Sequence, residues 1–310
     1  MKNKILVLSS ATLMLVAVFT ACKKDKAPTS DNTTQVSLQS DDQSRVSGES
    51  EAVANDAALA LEVSPSFSGR LAGVQSDMIC DAAVAYDSVS TPRTITITYN
   101  GSNCLGTRTR SGVVKISMAE GVHWKDAGAS VTLTFQNLKV TRVSDNKSIT
   151  INGTQTYTNV SGGLLINLPV LQTVVHTFSS SDMSITFDDN TTRVWQIAEK
   201  RVFTYDGGVV ITTTGNHTEG NDINVAEWGT NRFGQAFTSS TVTPIVIRQD
   251  CNFRVVSGQV KHVTPLVTAT ATFGLDASGS PTSCPGSGHY YFKVIWTGVG
   301  GNSLTVILPY

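Results

Sequence analysis

Between Gly215 and Asp222 the chain reads Gly-Asn-His-Thr-Glu-Gly-Asn-Asp, which puts an imidazole and two carboxylates close together. On a strand, His217 and Glu219 share a face because side chains alternate. Asp222 then arrives from the following turn, and the three could ligate one divalent ion. The same residues equally suit a solvated hairpin end, in which Asn, Gly and Asp only make the turn. The other histidines, His123, His176, His262 and His289, lie far apart and show no ligand spacing. Asp188-Asp189-Asn190 offers oxygen ligands without the spacing of a calcium loop, and reads as a turn. Gly-x-Ser-x-Gly, His-Glu-x-x-His, a Walker loop and Gly-x-Gly-x-x-Gly are all absent. The sequence therefore nominates no catalytic residue and implies no cofactor. Among the aromatic residues, Trp228 in Glu227-Trp228-Gly229-Thr230 is the one expected to be exposed, either as a loop anchor or as a surface that recognises a ligand. Trp296 alternates with Phe292 and Tyr290 and is expected in the core.

The cysteines carry the second chemical signal. Cys80 opens an alternating stretch with Ala82, Val84 and Tyr86, followed by a Thr/Ile strand, a Gly/Asn turn, Cys104 and a further strand at Gly112 to Met118. Cys251 opens a stretch with Phe253 and Val255, followed by a strand at Thr268 to Thr272, a Gly/Ser/Pro loop, Cys284 and a strand at His289. This repeated order predicts bridges Cys80 to Cys104 and Cys251 to Cys284, and suggests two related halves. The two crossed connectivities, joining Cys80 to Cys251 or to Cys284, and reduced thiols or a metal site remain open alternatives, although no Cys-x-x-Cys occurs. Cys22 is the odd cysteine, left without a partner.

These residues must be positioned by short strands. Thr94 to Tyr99 has period two, with Ile95, Ile97 and Tyr99 on one face, and the pattern returns at Val131 to Phe135, Ser148 to Ile151, Ser184 to Phe187, Val267 to Phe273 and Ser303 to Leu308. Gly, Asn and Asp clusters mark the reversals. Roughly twelve to fourteen strands with short connections predict an all-β fold. The expected form is an antiparallel β-meander closing into a sandwich or a strongly curled sheet over 76–310.

Ahead of that body the sequence reads as an address. Lys2 and Lys4 precede an apolar run from Ile5 to Phe19, too short for a membrane span, and Thr20-Ala21 are small residues before Cys22. This segment resembles a bacterial lipoprotein signal peptide over 1–21, with Phe-Thr-Ala-Cys as its lipobox and Cys22 as the acylated residue. The run TITITYNGSNCLGTRTRSGVVKISM from Thr94 and the C-terminal Cys-to-Cys module together resemble a family of Bacteroidetes-type lipoproteins over most of 77–298. The resemblance implies an outer-membrane, lipid-anchored protein, periplasmic or surface-facing, and brings no activity with it. Residues 22–75 are expected to form a tether, polar over 23–47 and able to make one short helix over 48–62 before Ser64-Pro65-Ser66 stops it. A net charge of −1 with 15% charged residues gives no footprint for nucleic acid. The expected partners are the membrane, through Cys22, and a glycan or an envelope protein. The function that follows is a non-catalytic binding module. The alternatives are a structural component of the envelope and, third, a glycoside hydrolase, which requires two carboxylates facing each other in a cleft.

Overall fold

The computed structural model describes residues 30–70, 79–284 and 288–310. The signal-like segment and Cys22 lie outside the described residues. The strands are β1 (Ala82–Asp87), β2 (Arg93–Ser102), β3 (Arg108–Met118), β4 (Ala129–Arg142), β5 (Ser148–Asn159), β6 (Thr173–Phe187), β7 (Thr192–Tyr205) and β8 (Val209–Gly215). They continue with β9 (His217–Glu219), β10 (Asp222–Thr230), β11 (Ala236–Arg248), β12 (Arg254–Val263), β13 (Val267–Leu275), β14 (Tyr291–Gly298) and β15 (Ser303–Pro309). All belong to one 15-stranded sheet in which β1 to β7 and then β10 to β15 are successive neighbours. Every pairing is antiparallel. β8 pairs with β7 and β11, and β9 with β10. The all-β antiparallel meander expected from the sequence is thus the observed fold.

A row of bulges curls this sheet. The register shifts at Ser111/Val113, Phe135/Leu138, Asn152/Thr156 and Ser180/Met183, one on each successive pairing from β3 to β7. Extra residues aligned across adjacent strands bend all of them in one direction. Gly112 and Gly153 make the crowding tolerable: both have positive φ, and a Cβ on Gly112 would lie 2.3 Å from the Asn137 carbonyl oxygen. On Gly153 it would lie 2.6 Å from that of Asp182.

Inside the curl runs α1 (Ser30–Val63), a helix of 34 residues. Within about two turns of it, Gln39 meets His262 of β12, Ser40 meets Trp296 of β14, Asp41 meets Arg142 of β4 and Gln43 meets Arg193 of β7. Strands so distant in the sheet order reach one short stretch of helix only if the sheet wraps around it. This corrects the expectation for the segment before the strands. From Ser30 on, the stretch expected as a flexible tether is the first half of α1, and the helix expected over 48–62 is its second half. The physical reason is that α1 is held by ion pairs as well as by apolar contact. Arg108 reaches Glu49 at 3.0 Å, Arg110 reaches Asp56 at 2.9 Å, Arg142 reaches Asp41 at 2.6 Å, and Arg232 reaches Asp42 at 2.5 Å. The helix stops at Val63, before Ser64-Pro65, and Pro65 opens the single turn α2 (Pro65–Ser68), capped by Gly69 at φ 78°.

The two sides of α1 differ. Val46, Val53, Ala57 and Leu61 recur at helical spacing and join the main core with Ile95, Ile97, Ile116, Leu133, Ile151 and Tyr157 from the first half of the sheet. Each fully buried Val, Leu or Ile side chain among them contributes about 1.5–3 kcal/mol. A smaller cluster links Leu168 of α3 (Leu168–Leu171) to Val174, Phe203 and Ile211. Disulfides join Cys80 to Cys104 and Cys251 to Cys284, each with Cα atoms 5.3 Å apart. Both tie the residue just ahead of a two-strand hairpin to the loop just after it, so the repeated cysteine order corresponds to a repeated structural unit. Among the described residues no helix is long and apolar enough to cross a membrane.

Candidate functional site

The other side of α1 carries Ser40, Gln43, Ser47, Gly48, Glu51 and Asn55, which are short or polar side chains spaced along one face. They do not fill the space to the sheet, and a cleft of about 310 Å³ remains between this face and the second half of the strands. Its far wall is apolar: Ile245 and Ile247 of β11, Val260 of β12, Ala271 of β13, and Val294 and Trp296 of β14. Phe253 and Phe273 add aromatic surface. An enclosed apolar wall facing a few polar groups is the common form of a small-molecule site.

Three carboxylates line the cleft, Glu51 from α1, Glu199 from β7 and Glu227 from β10. Glu227 stands opposite Ile197 in the register, which makes Glu199 its diagonal neighbour on the same face. Arg193 and Arg201 support them from behind. Arg201 pairs closely with Glu51 and reaches Glu199 at 3.4 Å, while Arg193 donates to Gln43 at 2.6 Å and lies 3.9 Å from Glu227. Glu227 also accepts from Ser47 Oγ at 2.7 Å and from the Gln43 amide, so α1 occupies both of its oxygens. Burial pushes the Glu199 carboxyl up to about 8, helped by the nearby charge of Glu51, and burial raises Glu227 as well. Two carboxylates in one cleft are the outline that glycoside cleavage needs. Here, however, Glu227 is fully engaged by the helix and Glu51 is paired with Arg201, and the wall opposite is aliphatic.

Ser239 and His262 stand opposite each other on β11 and β12, also at the cleft, with Oγ and Nδ1 2.7 Å apart. The surrounding bonds fix which atom donates. Backbone N–H groups of Phe233 and Gln235 donate to Asn231 Oδ1, so its Nδ2 donates to Gln39 Oε1 at 2.7 Å. The Gln39 amide nitrogen then faces His262 Nε2 at 3.0 Å and donates to it. His262 therefore carries its proton on Nδ1 and donates to Ser239, the reverse of what activates a serine nucleophile. Burial, with Arg193 nearby, pushes the imidazole down to about 3 and keeps it neutral.

The residues nominated from sequence lie elsewhere. His217 and Glu219 meet through Nε2 and Oε2 at 3.1 Å, but Asp222 turns to Thr238 at 3.4 Å and to Lys261 at 3.6 Å. Trp228 lies within β10, half-buried, with His217 stacked on it at a centroid distance of 4.0 Å. It points away from the cleft, since its neighbour Glu227 points in. Asp189 accepts from Thr191 and Arg232 and Asn190 has positive φ, as a turn requires. Among the described residues the potential metal donors that gather are Asp250, Cys251 and Cys284, and the disulfide removes both sulfurs as thiolate ligands. Sequence reasoning missed Glu51, Glu199, Glu227 and His262. For Glu199, Glu227 and His262 the available signal was acidic or imidazole side chains at inward positions of strands that otherwise carry Ile, Val and Trp, whereas Glu51 lies on α1 and had no such signal.

Comparison with protein-family models, with curated proteins and with solved structures finds no match to the chain.

Proposed function

We propose that the protein is a non-catalytic binding module, held at the outer membrane through acylated Cys22, whose cleft takes a small ligand with a largely apolar surface. The observation that carries this reading is the cleft itself, with aliphatic strands on one side and the short polar side chains of α1 on the other. That wall favours an apolar body over a glycan, which needs polar groups around its aromatic platform. The engaged Glu227 and the direction of the His262 proton favour binding over catalysis.

The neutral dye N-phenyl-1-naphthylamine tests the site. Saturable one-to-one enhancement of its fluorescence is expected, and Ala271→Trp, which fills the cleft, should abolish it. Enhancement that never saturates, or that survives Ala271→Trp, contradicts the reading. The anchor has a separate test: a fatty-acid probe fed to the producing cells should label the wild type and not Cys22→Ala. An unlabelled wild type removes the anchor.

The outer edges at β1 and β15, where the sheet order ends, favour a second reading as an assembly component that adds strands to a partner. A crosslinked envelope partner together with no dye response would favour it.

A further inference from the structure

The charged side chains lining the cleft are all of one sign. Glu51, Glu199 and Glu227 present carboxylates to it from three different elements, while His262 is neutral and the supporting guanidiniums are not among the lining groups. Among the described residues two arginines, Arg193 and Arg201, pair with the three acids, and Arg201 is shared, close to Glu51 and 3.4 Å from Glu199. Glu199 itself is only 7% exposed, so little solvent reaches it to make up the missing counter-charge. Across the cleft the wall is aliphatic, with Trp296 as its largest aromatic surface.

We propose that the cleft selects organic cations, and that its ligand carries an ammonium group on an apolar body, with the ammonium at Glu51 and Glu199 and the body against β11 to β14. This rests on the cleft being a ligand site. An ammonium supplies three donors, enough to bridge both carboxylates with charge-assisted bonds, which are about twice as strong as neutral ones. The indole of Trp296 also tolerates a cation near its face, where an anion is repelled. A ligand bearing a carboxylate or phosphate meets three acidic side chains and no lining cation. Desolvated like-charge contact is strongly unfavourable. The elevated Glu199 carboxyl has the same origin: burial outweighs the share of Arg201 that it receives.

Three probes with one tail separate the terms. Octylammonium, octanol and octanoate are titrated calorimetrically into the full-length protein. Octylammonium is expected to bind about 10-fold more tightly than octanol, the gain of roughly one charge-assisted bond, with octanoate weakest. Glu199→Gln and, separately, the half-exposed Glu51→Gln should each bring octylammonium down towards octanol. Unchanged octanol binding in the same variants shows that the cleft is still formed. Equal affinity for the three probes, or a preference for octanoate, overturns the charge selection while leaving a ligand site. No binding of any probe overturns the cleft as a ligand site and this proposal with it. An ammonium preference that survives both variants also overturns the assignment to these carboxylates.

Discussion

The side-chain amide of Gln39 donates to Nε2 of His262 at 3.0 Å, linking the first half of α1 to β12 across 223 positions of sequence. Because Asn231 holds the other end of that amide, the contact fixes the helix position and the imidazole tautomer together. The same imidazole stacks on Phe237, with centroids 5.5 Å apart, and has no room for a second proton without breaking the Gln39 bond.

Acid should therefore loosen the protein through its buried histidines. Burial, with Arg193 and Arg201 respectively, lowers His262 and His176 from the usual 6.5 to about 3. In the folded chain both stay neutral, whereas in the unfolded chain they take up protons below about 6.5. Stability is then lost progressively as pH falls from 6.5 towards 3. Urea midpoints measured between pH 4.5 and 3, below the range in which the raised carboxyls oppose the trend, should drop, and His262→Gln should make the drop shallower. A midpoint flat over this range contradicts the assignment.

Alkali should act through Glu199. Its carboxyl is raised by burial and by Glu51 from the usual 4.5 to about 8, and burial raises Glu62 to about 7 although the Leu165 and Ile166 N–H groups donate to it. These groups ionise near 4.5 in the unfolded chain and only near 7 to 8 in the folded one, so stability falls as pH rises from 4.5 through 8. The acid and alkaline trends oppose each other between 4.5 and 6.5, which is where the thermal midpoint should peak. Glu199→Gln should flatten the alkaline limb, and a limb of unchanged slope would show that another group controls it.

How much of this was legible follows from what holds each part. The Thr/Ile alternation of β2 was readable because one face is buried and the other wet, and the structure keeps Ile95, Ile97 and Tyr99 inside. The cysteine pairs were readable because their flanking strands repeat in order. The first half of α1 was not. Ser40, Asp41, Asp42 and Gln43 lack an apolar stripe, and what makes them helical in place lies far along the chain, in Arg142, Arg193 and Arg232. A local pattern cannot register a partner 101 to 190 positions away. The cleft was hidden for the same reason, since half of its wall is that helix.

Arg110 should be among the costliest side chains to lose. It forms paired bonds to Asp81 at 2.7 Å and a third to Asp56 at 2.9 Å, covers the Tyr99 ring at 4.2 Å, and is almost fully buried. Arg110→Ala leaves two buried carboxylates without their cation and should destabilise by about 3–5 kcal/mol. Arg248 also pairs with two aspartates, but at the surface, and Arg248→Ala should stay within about 0.5 kcal/mol. Denaturant curves on the two variants make the comparison, and similar losses would show that burial is not what gives Arg110 its weight.

The bridges should be separable in the same assay. Non-reducing peptide mass spectrometry should find Cys80 linked to Cys104 and Cys251 to Cys284, which enclose 24 and 33 positions. Replacing either pair by alanine should destabilise by about 3–4 kcal/mol on the chain-entropy account. A crossed linkage would break the correspondence between the two hairpin units.

Gly112 tests whether the row of bulges sets the curl. Its φ of 114° is strained for any residue with a side chain, and an added Cβ would meet the Asn137 carbonyl oxygen, which is backbone and cannot swing away. Gly112→Ala must therefore either flatten the bulge or separate β3 from β4, at about 2–4 kcal/mol of strain and overpacking together. Both routes move β4, and with it Arg142, which reaches Asp41 of α1 at 2.6 Å. The variant should accordingly lose hydrogen-exchange protection in the first half of α1 as well as at the bulge. Gly106→Ala is the matched control: it too has positive φ, at 65°, but lies in a loop with nothing within 4 Å of the added Cβ. It should lower stability modestly and leave protection in α1 unchanged. Loss confined to the bulge in Gly112→Ala would mean that helix and curl are independent, and that the arginines position α1 without help from the bend.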